Sequence, residues 1–178
     1  VISYPGTAEP GFGESVETAR TASQHEHRNL MTYFPTGVTV VTAVDDRDTP
    51  YGMTCSSLTS VCLEPPTVLV SLTSNSATVR HALERGVFGI TLLDLQAQEV
   101  ARRFATPALD RFAGLRWTIS PLGTPWIEHC MTAAADCDVW RSMEVGDHTL
   151  LFGVVRNVRV RGGTPLLYGL RRYHGWRD

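Results

Sequence analysis

The sequence predicts a mainly β domain with a few helices, built as a closed or partly closed antiparallel barrel. Runs rich in β-branched residues recur along the chain, beginning with residues 37–45 (GVTVVTAVD). Helical patterns in the body of the domain are few and isolated between the strands, so a strand–helix–strand alternation is not sustained. The 178 residues are 43% hydrophobic and 19% charged, which suits one domain with a sizeable core.

Residues 1–22 hold Pro5, Gly6, Pro10, Gly11 and Gly13 and little periodicity. They read as a flexible or surface-wrapping N-terminal tail, and residues 23–178 as the folded domain. Ser23 is placed to cap a short helix over residues 23–34, which ends before Pro35. After the strand at 37–45 comes polar turn material, then a second strand at 51–61 (YGMTCSSLTSV) and a third at 67–73 (TVLVSLT). Ser74-Asn75-Ser76 forms a helix N-cap cluster. Val79, Ala82 and Leu83 then fall on one helical face, and Gly86 stops the helix.

Residues 87–93 (VFGITLL) make a fourth strand. Asp94 caps a helix whose Ala97, Val100, Ala101 and Phe104 form an apolar stripe at i, i+3, i+4 and i+7 spacing, the pattern of a core-facing helix. Residues 106–125 are rich in loop signals. Two long strands follow, at about 127–142 and 148–161, joined by the turn Glu144-Val145-Gly146-Asp147. Pro165-Leu166-Leu167-Tyr168 closes the list with a short strand.

Charge and cysteine use narrow the function classes. The formal net charge is −2, against a dedicated nucleic-acid or polybasic membrane partner. All 16 cationic side chains are Arg, so a phosphate must be met by Arg, hydroxyls or backbone amides. Cys55 and Cys62 are separated by six residues, as are Cys130 and Cys137. On strands that offset points the members of each pair to opposite faces, so free thiols are expected and neither a bridge nor a zinc site. The first positive charge is Arg20, no apolar run follows it, and no segment approaches transmembrane length. A reducing cytoplasm is the expected setting.

No dinucleotide fingerprint, phosphate-binding P-loop, nucleophile elbow or zinc-protease motif is present in these residues. His25 and His27 read as surface histidines that cannot share a metal on a helix. His81 falls on the polar side of its helix, and His129 reads as a strand histidine. Three segments remain as candidates. Residues 53–62 (MTCSSLTSVC) pack five hydroxyls and two thiols into ten residues, small side chains that let a planar ligand approach a strand. Ser74, Ser76 and Thr78 put hydroxyls at a helix start, where free amides favour an anion. Gly146-Asp147-His148 puts an imidazole at a strand entrance, suited to a carboxamide or a phosphate. Each segment alone also fits a structural role: an edge strand, a cap, a turn.

Taken in order, the pieces resemble the short-chain flavin reductase family, whose fold is the FMN-binding split barrel. The matching stretches are residues 33–42 (YFPTGVTVVT), 52–61 (GMTCSSLTSV), Cys62-Leu63-Glu64-Pro65-Pro66 and Ser74-Asn75-Ser76-Ala77-Thr78. Phe104-Ala105, Arg111-Phe112, Gly146-Asp147-His148 and Pro165-Leu166-Leu167-Tyr168 complete the set. The resemblance implies a homodimer with flavin, FAD or FMN, near the dimer interface. It implies that NADH or NADPH supplies hydride and that reduced flavin passes to a partner monooxygenase.

By the same resemblance, Thr36, Gly37 and Val38 line the site from the first strand. Met53, Thr54, Cys55, Ser56 and Ser57 lie along the isoalloxazine. Cys62 and Leu63 support the ribityl chain, and Ser74, Ser76 and Thr78 hold the phosphate. Arg103 or Arg111 stands in for the absent Lys, and Tyr173 adds a C-terminal contact. His148 lies near the nicotinamide and is the expected catalytic residue. Cys55 and Cys62 stand where the family often has Ala and Ser. A direct flavin-dependent oxidase or oxygenase, a non-catalytic flavin- or haem-binding protein and a purely structural dimerisation domain are the competing readings.

Overall fold

The computed structural model describes residues 21–107 and 110–176. The expected tail at residues 1–22 lies outside them save for residues 21 and 22. The chain divides into two compact units, Val1–Met31 and Thr32–Asp178. α1 (Gln24–Thr32), all but its last residue in the first unit, opens on a reciprocal cap. Glu26 N donates to Ser23 Oγ at 3.2 Å, and Ser23 N donates to Glu26 Oε2 at 2.8 Å.

In the second unit, β2 (Thr39–Val44), β3 (Pro50–Cys55), β4 (Thr59–Leu63) and β5 (Pro66–Thr73) precede α2 (Ala77–Arg85). β6 (Val87–Leu93), a 3-10 turn (Leu95–Ala97) and α3 (Gln98–Ala105) follow. The long strands β9 (Met131–Val145) and β10 (His148–Val160) come later. These seven strands form one antiparallel sheet in the order β3-β2-β6-β9-β10-β5-β4. β1 (Thr36–Gly37), β11 (Leu166–Gly169) and β12 (Arg172–Gly175) form a three-stranded sheet in the order β1-β11-β12. β7 (Trp117–Ile119) pairs with β8 (Pro125–Ile127).

The second expected strand is broken. Residues 56–58 bend, so β3 and β4 lie at opposite edges of the seven-stranded sheet. Ser57 makes the bend: its Oγ accepts from Ser71 N at 3.0 Å and donates to Ser71 O at 2.7 Å. A hydroxyl thus satisfies a β5 residue where a ladder bond is missing, the competition with sheet pairing that Ser is suited to. The link ties the two sheet edges together, as barrel closure requires.

β2 is buried along its whole length, as its unbroken apolar and Thr run suggests. Val40 belongs to a cluster with Val100, Ala101, Phe104 and Phe112, on the side that carries α3. Val41 and Ala43 belong to a second cluster with Val70, Leu72, Phe88 and Leu151. The α3 stripe is buried as expected, and Asp94 Oδ1 accepts from Gln96 N at 2.9 Å to start the turn before it. Burying Phe88 and Phe104 contributes roughly 1.5–3 kcal/mol each.

Several expectations are corrected. Leu83 is 42% exposed, because only Val79 and Ala82 of its group face the core. His81 is buried, not on a polar face, and packs on Tyr51 with ring centroids 4.5 Å apart. His129 sits in a turn before β9 rather than on a strand. The loop-rich stretch at residues 106–125 contains β7 and the first residue of β8, and a further strand, β12, follows β11. These strands are three or four residues long, too short for periodicity to show.

Gly153 sits where β10 shifts register against β9. A Cβ there would come within 2.8 Å of Cys137 Cβ and would also strike the Phe88 ring. Gly153→Ala is expected to lower stability by about 1–3 kcal/mol through overpacking, read as a lower urea midpoint at unchanged m-value. An unshifted midpoint refutes the packing argument.

Candidate active site

The sheet brings two of the three candidate segments together at one end of β5 and β10. His148 pairs with Thr73 across the ladder. Ser74 N donates to Asp147 O at 3.0 Å, and Ser74 Oγ and Thr149 Oγ1 share a bond of 2.8 Å. The Ser57 clamp on Ser71 lies two residues along β5 from Thr73, about 7 Å at strand rise. The bend carrying Ser56 and Ser57, the helix start and His148 therefore share one region.

The helix start fits an anion by geometry. Ser76 is the N-cap of α2, and its Oγ accepts from Val79 N at 3.2 Å. It keeps its own O–H to donate. The N–H groups of Ala77 and Thr78 have no partner within the first turn of a helix of this kind. Thr78 is only 2% exposed and lines the adjoining cavity. Two open amides at a helix start suit an anion.

Asn75, Ser76, Ala77 and Thr78 line a cavity of about 790 Å³. Its other walls include Tyr51 and Gly52 of β3, Arg111, Phe112 and Trp117. Arg111 is anchored from Nη1 to Gly52 O at 2.7 Å and from Nε to Thr106 O at 2.9 Å. Of the residues picked from sequence, Ser76, Thr78 and Arg111 line this cavity. Tyr51 and Trp117 were missed: a lone aromatic on a strand carries no functional signature.

The remaining candidates have definite places. Thr54 Oγ1 donates to Ala101 O of α3 at 2.6 Å. Cys55 is buried with Sγ 3.1 Å from Ser57 Oγ, while Met53 is half-buried beside the second core cluster. Cys62 and Leu63 are exposed on β4, and Cys62 Sγ donates to Pro65 O at 3.2 Å. Thr36 pairs with Tyr168, which pairs with Tyr173, so these two candidates meet through the small sheet. Gly37 pairs with Leu167, and Val38 is buried between β6 and β11, its N–H on Leu166 O and its carbonyl taking Leu93 N, both at 3.0 Å. Arg103 Nη1 donates to Ala113 O at 2.8 Å, so it braces the loop that carries Arg111 rather than lining the cavity.

Asp147 Oδ1 lies 2.7 Å from His148 Nδ1. A carboxylate only accepts, so Nδ1 carries the proton and Nε2 is the nitrogen left for a ligand. The hydrogen bond and charge of His148 hold the Asp147 carboxyl below its ordinary value of 3.8. Burial pushes the thiols of Cys130 and Cys137 up to about 12, with nearby carboxylates adding to the shift. All four cysteines are free.

A mainly β barrel with a hydroxyl-rich bend, open amides at a helix start and an imidazole at one end has the parts of a cofactor-binding oxidoreductase. The family described as flavin reductase like domain matches residues 31–177. The chain is 47% identical over 152 residues to the flavin reductase (NADPH) of Lentzea aerocolonigenes, covering 85% of this chain and 89% of that protein. It is 38% identical over 155 residues to the flavin reductase (NADH) of Kitasatospora aureofaciens, covering 83% and 79%. The crystal structure of a homologue of nitrilotriacetate monooxygenase component B from Mycobacterium thermoresistibile superposes with a TM-score of 0.81 at 34% identity, covering 86% and 87% of the two chains. The chain belongs to the flavin reductase-like family, and its fold is the split barrel of that family.

A pH titration checks the Asp147–His148 pair. The depressed carboxyl favours the native state above the ordinary Asp value, and that contribution is lost as pH falls through the lowered native value. In His148→Ala, carboxyl-carbon NMR is expected to return the Asp147 midpoint upward toward 3.8. An unmoved midpoint contradicts the pairing.

Proposed function

We propose that the chain is an NAD(P)H:flavin oxidoreductase that reduces FAD or FMN and passes reduced flavin to a separate monooxygenase component. The observation that carries this reading is the start of α2, where open amides and the Ser76 hydroxyl sit on the same end of the barrel as His148. The relatives, two reductases and a monooxygenase component, support the same assignment.

Bound flavin and nicotinamide supply the redox chemistry between them, so no side chain need act as nucleophile or strong base. The chain's work is binding and orientation. Ser76 O–H, Thr78 O–H and the first amides of α2 hold the flavin phosphate. Ser74, already bonded to Thr149, fixes the approach of β5 to the helix and adds a third oxygen. Thr54 to Ser57 present a small-residue bend against the flavin ring, with Met53 and Cys55 packing behind it. Thr36 to Val38, Cys62, Leu63 and Tyr173 complete the walls. Asp147 holds the His148 ring so that Nε2 meets the nicotinamide carboxamide, which positions the donor without acid–base chemistry.

A homodimer completes this reading. Val61 and Leu63 on β4 and Trp140, Met143 and Val145 on β9 expose apolar side chains, with Leu63 87% accessible. Apolar groups on the edge strand β4 and on the end of β9 beyond its pairing with β6 call for cover. A cytoplasmic setting belongs to the same proposal, since four free thiols suit a reducing compartment. Among the described residues, no helix is long and apolar enough to cross a membrane.

His148→Ala is expected to keep flavin binding while lowering kcat/KM for the nicotinamide nucleotide about 10–100-fold, roughly 1.4–2.7 kcal/mol of transition-state stabilisation. Stopped-flow reduction of prebound flavin makes the measurement. A folded variant that reduces flavin at the native rate at every nucleotide concentration removes His148 from the mechanism. Sedimentation at assay concentration is expected to show a dimer; a fully active monomer defeats the assembly.

A further inference from the structure

Residues 53–62 hold five hydroxyls, and each has one proton to donate. Thr54 Oγ1 gives its proton to Ala101 O of α3 at 2.6 Å, and Ser57 Oγ gives its own to Ser71 O at 2.7 Å. Thr59 Oγ1 points its proton at Ser60 O, 3.5 Å away. The side chains of Ser56 and Ser60 make no hydrogen bond among the described residues. Of these two, only Ser56 lies in the bend at residues 56–58, where it is exposed. Ser57 is the opposite case. Its one proton is on Ser71 O, so at the 3.1 Å contact with Cys55 Sγ the thiol is the donor. Ser71 N–H fills the second lone pair at 3.0 Å. The Ser57 hydroxyl has nothing left for a ligand. The residues on either side of the two serines are anchored as well: Cys55 is buried in the second core cluster, and Leu58 packs against that cluster.

We propose that the adjacent serines have separate tasks: Ser57 is a positioning residue that never bonds the flavin, its hydroxyl saturated by Ser71 and Cys55, and the bend it fixes presents the Ser56 hydroxyl as the donor to the flavin ring. The inference rests on the reductase reading, which supplies the flavin. An oxidised isoalloxazine carries carbonyl oxygens and unprotonated ring nitrogens, so it accepts from a hydroxyl. A donor is useful there only if it is held still, and Cys55, Ser57 and Leu58 hold the chain on both sides of Ser56. Cys55 thereby acts on the flavin at one remove, through the oxygen of Ser57.

Infrared difference spectra of the whole chain, native minus Cys55→Ala, isolate the Cys55 S–H stretch, which donation lowers in frequency. Without flavin, Ser57→Ala is expected to raise that frequency toward a free thiol's. Adding FMN to the native chain is expected to leave it in place. A band that Ser57→Ala does not move overturns the proposal, as does one that moves when FMN is added, since the Ser57 hydroxyl has then turned to the ring. Fluorescence titration gives the second arm. Ser56→Ala is expected to weaken FMN and riboflavin alike by about 5–10-fold, one hydrogen bond to a ring common to both. Ser57→Ala and Cys55→Ala are each expected to weaken FMN by about 3–5-fold, and the double variant no more than Ser57→Ala alone, because both act through one contact. Cys55→Ser, which keeps a donor, is expected to restore the native affinity. Additive losses in the double variant, a native affinity in Ser56→Ala, or a Ser56→Ala loss confined to FMN each overturn the assignment. Melting curves establish folding; if Ser57→Ala does not fold, the FMN-addition spectrum and the Cys55→Ala and Cys55→Ser pair decide. Failure of the reductase reading shows separately, as a native chain without NADH- or NADPH-dependent reduction of either flavin.

Discussion

Strand β2 has water on neither face, and the bend and one wall of the cavity are positioned from it. Its edges bond to β3 and β6, one face packs toward α3, and the other fills the barrel with Phe88 and Leu151. A polar group on such a strand must find a partner inside the protein. Thr39 Oγ1 therefore donates to Cys55 O at 2.9 Å, and Thr42 Oγ1 to Pro125 O at 2.7 Å. The first bond fixes the end of β3, from which the hydroxyl-rich bend departs. The second ties the β7–β8 hairpin, which carries Trp117, to the centre of the sheet. The packing of one strand thus sets both the bend and an aromatic wall of the cavity.

From this frame the two helices act as braces with different tasks. α3 is held by its stripe and by Thr54, and it presents Arg103 to the loop that carries Arg111. α2 is held by Val79 and Ala82 and by His81 on Tyr51, and its own start faces the cavity. His81 Nδ1 lies 2.8 Å from Glu84 Oε2, so a buried imidazole is satisfied by its own helix and spends its ring on a cavity-lining tyrosine.

The sequence was most legible where one periodicity ran long enough to be unmistakable. β2, β5, β6 and the two long strands stand within a few residues of their expected positions, as does the buried stripe of α3. The hydroxyls of Ser74, Ser76 and Thr78 were legible because a helix start needs caps. What escaped depended on distant partners. The break at residues 56–58 requires Ser71, fourteen residues beyond Ser57. The burial of His81 requires Tyr51, and the cavity needs β3, α2 and the loop before β7 at once. No local pattern encodes such meetings. Leu83 shows the converse: its helical spacing was right and its face was not, since the apolar arc of α2 is narrow.

The barrel is joined at the bend by one side chain rather than by a ladder. Both bonds across that join belong to Ser57 Oγ, whereas β9 and β10 share a register of twelve paired residues. A join with so few backbone bonds is the part of a sheet that opens at least cost, on a path that leaves the core intact. The amide of Ser71 should therefore exchange with solvent hydrogen through local opening, well ahead of its neighbours Val70 and Leu72 inside β5. The segment that meets the flavin in our reading would then also be the molecule's softest seam, and breathing there would set how readily a bound cofactor is admitted and let go.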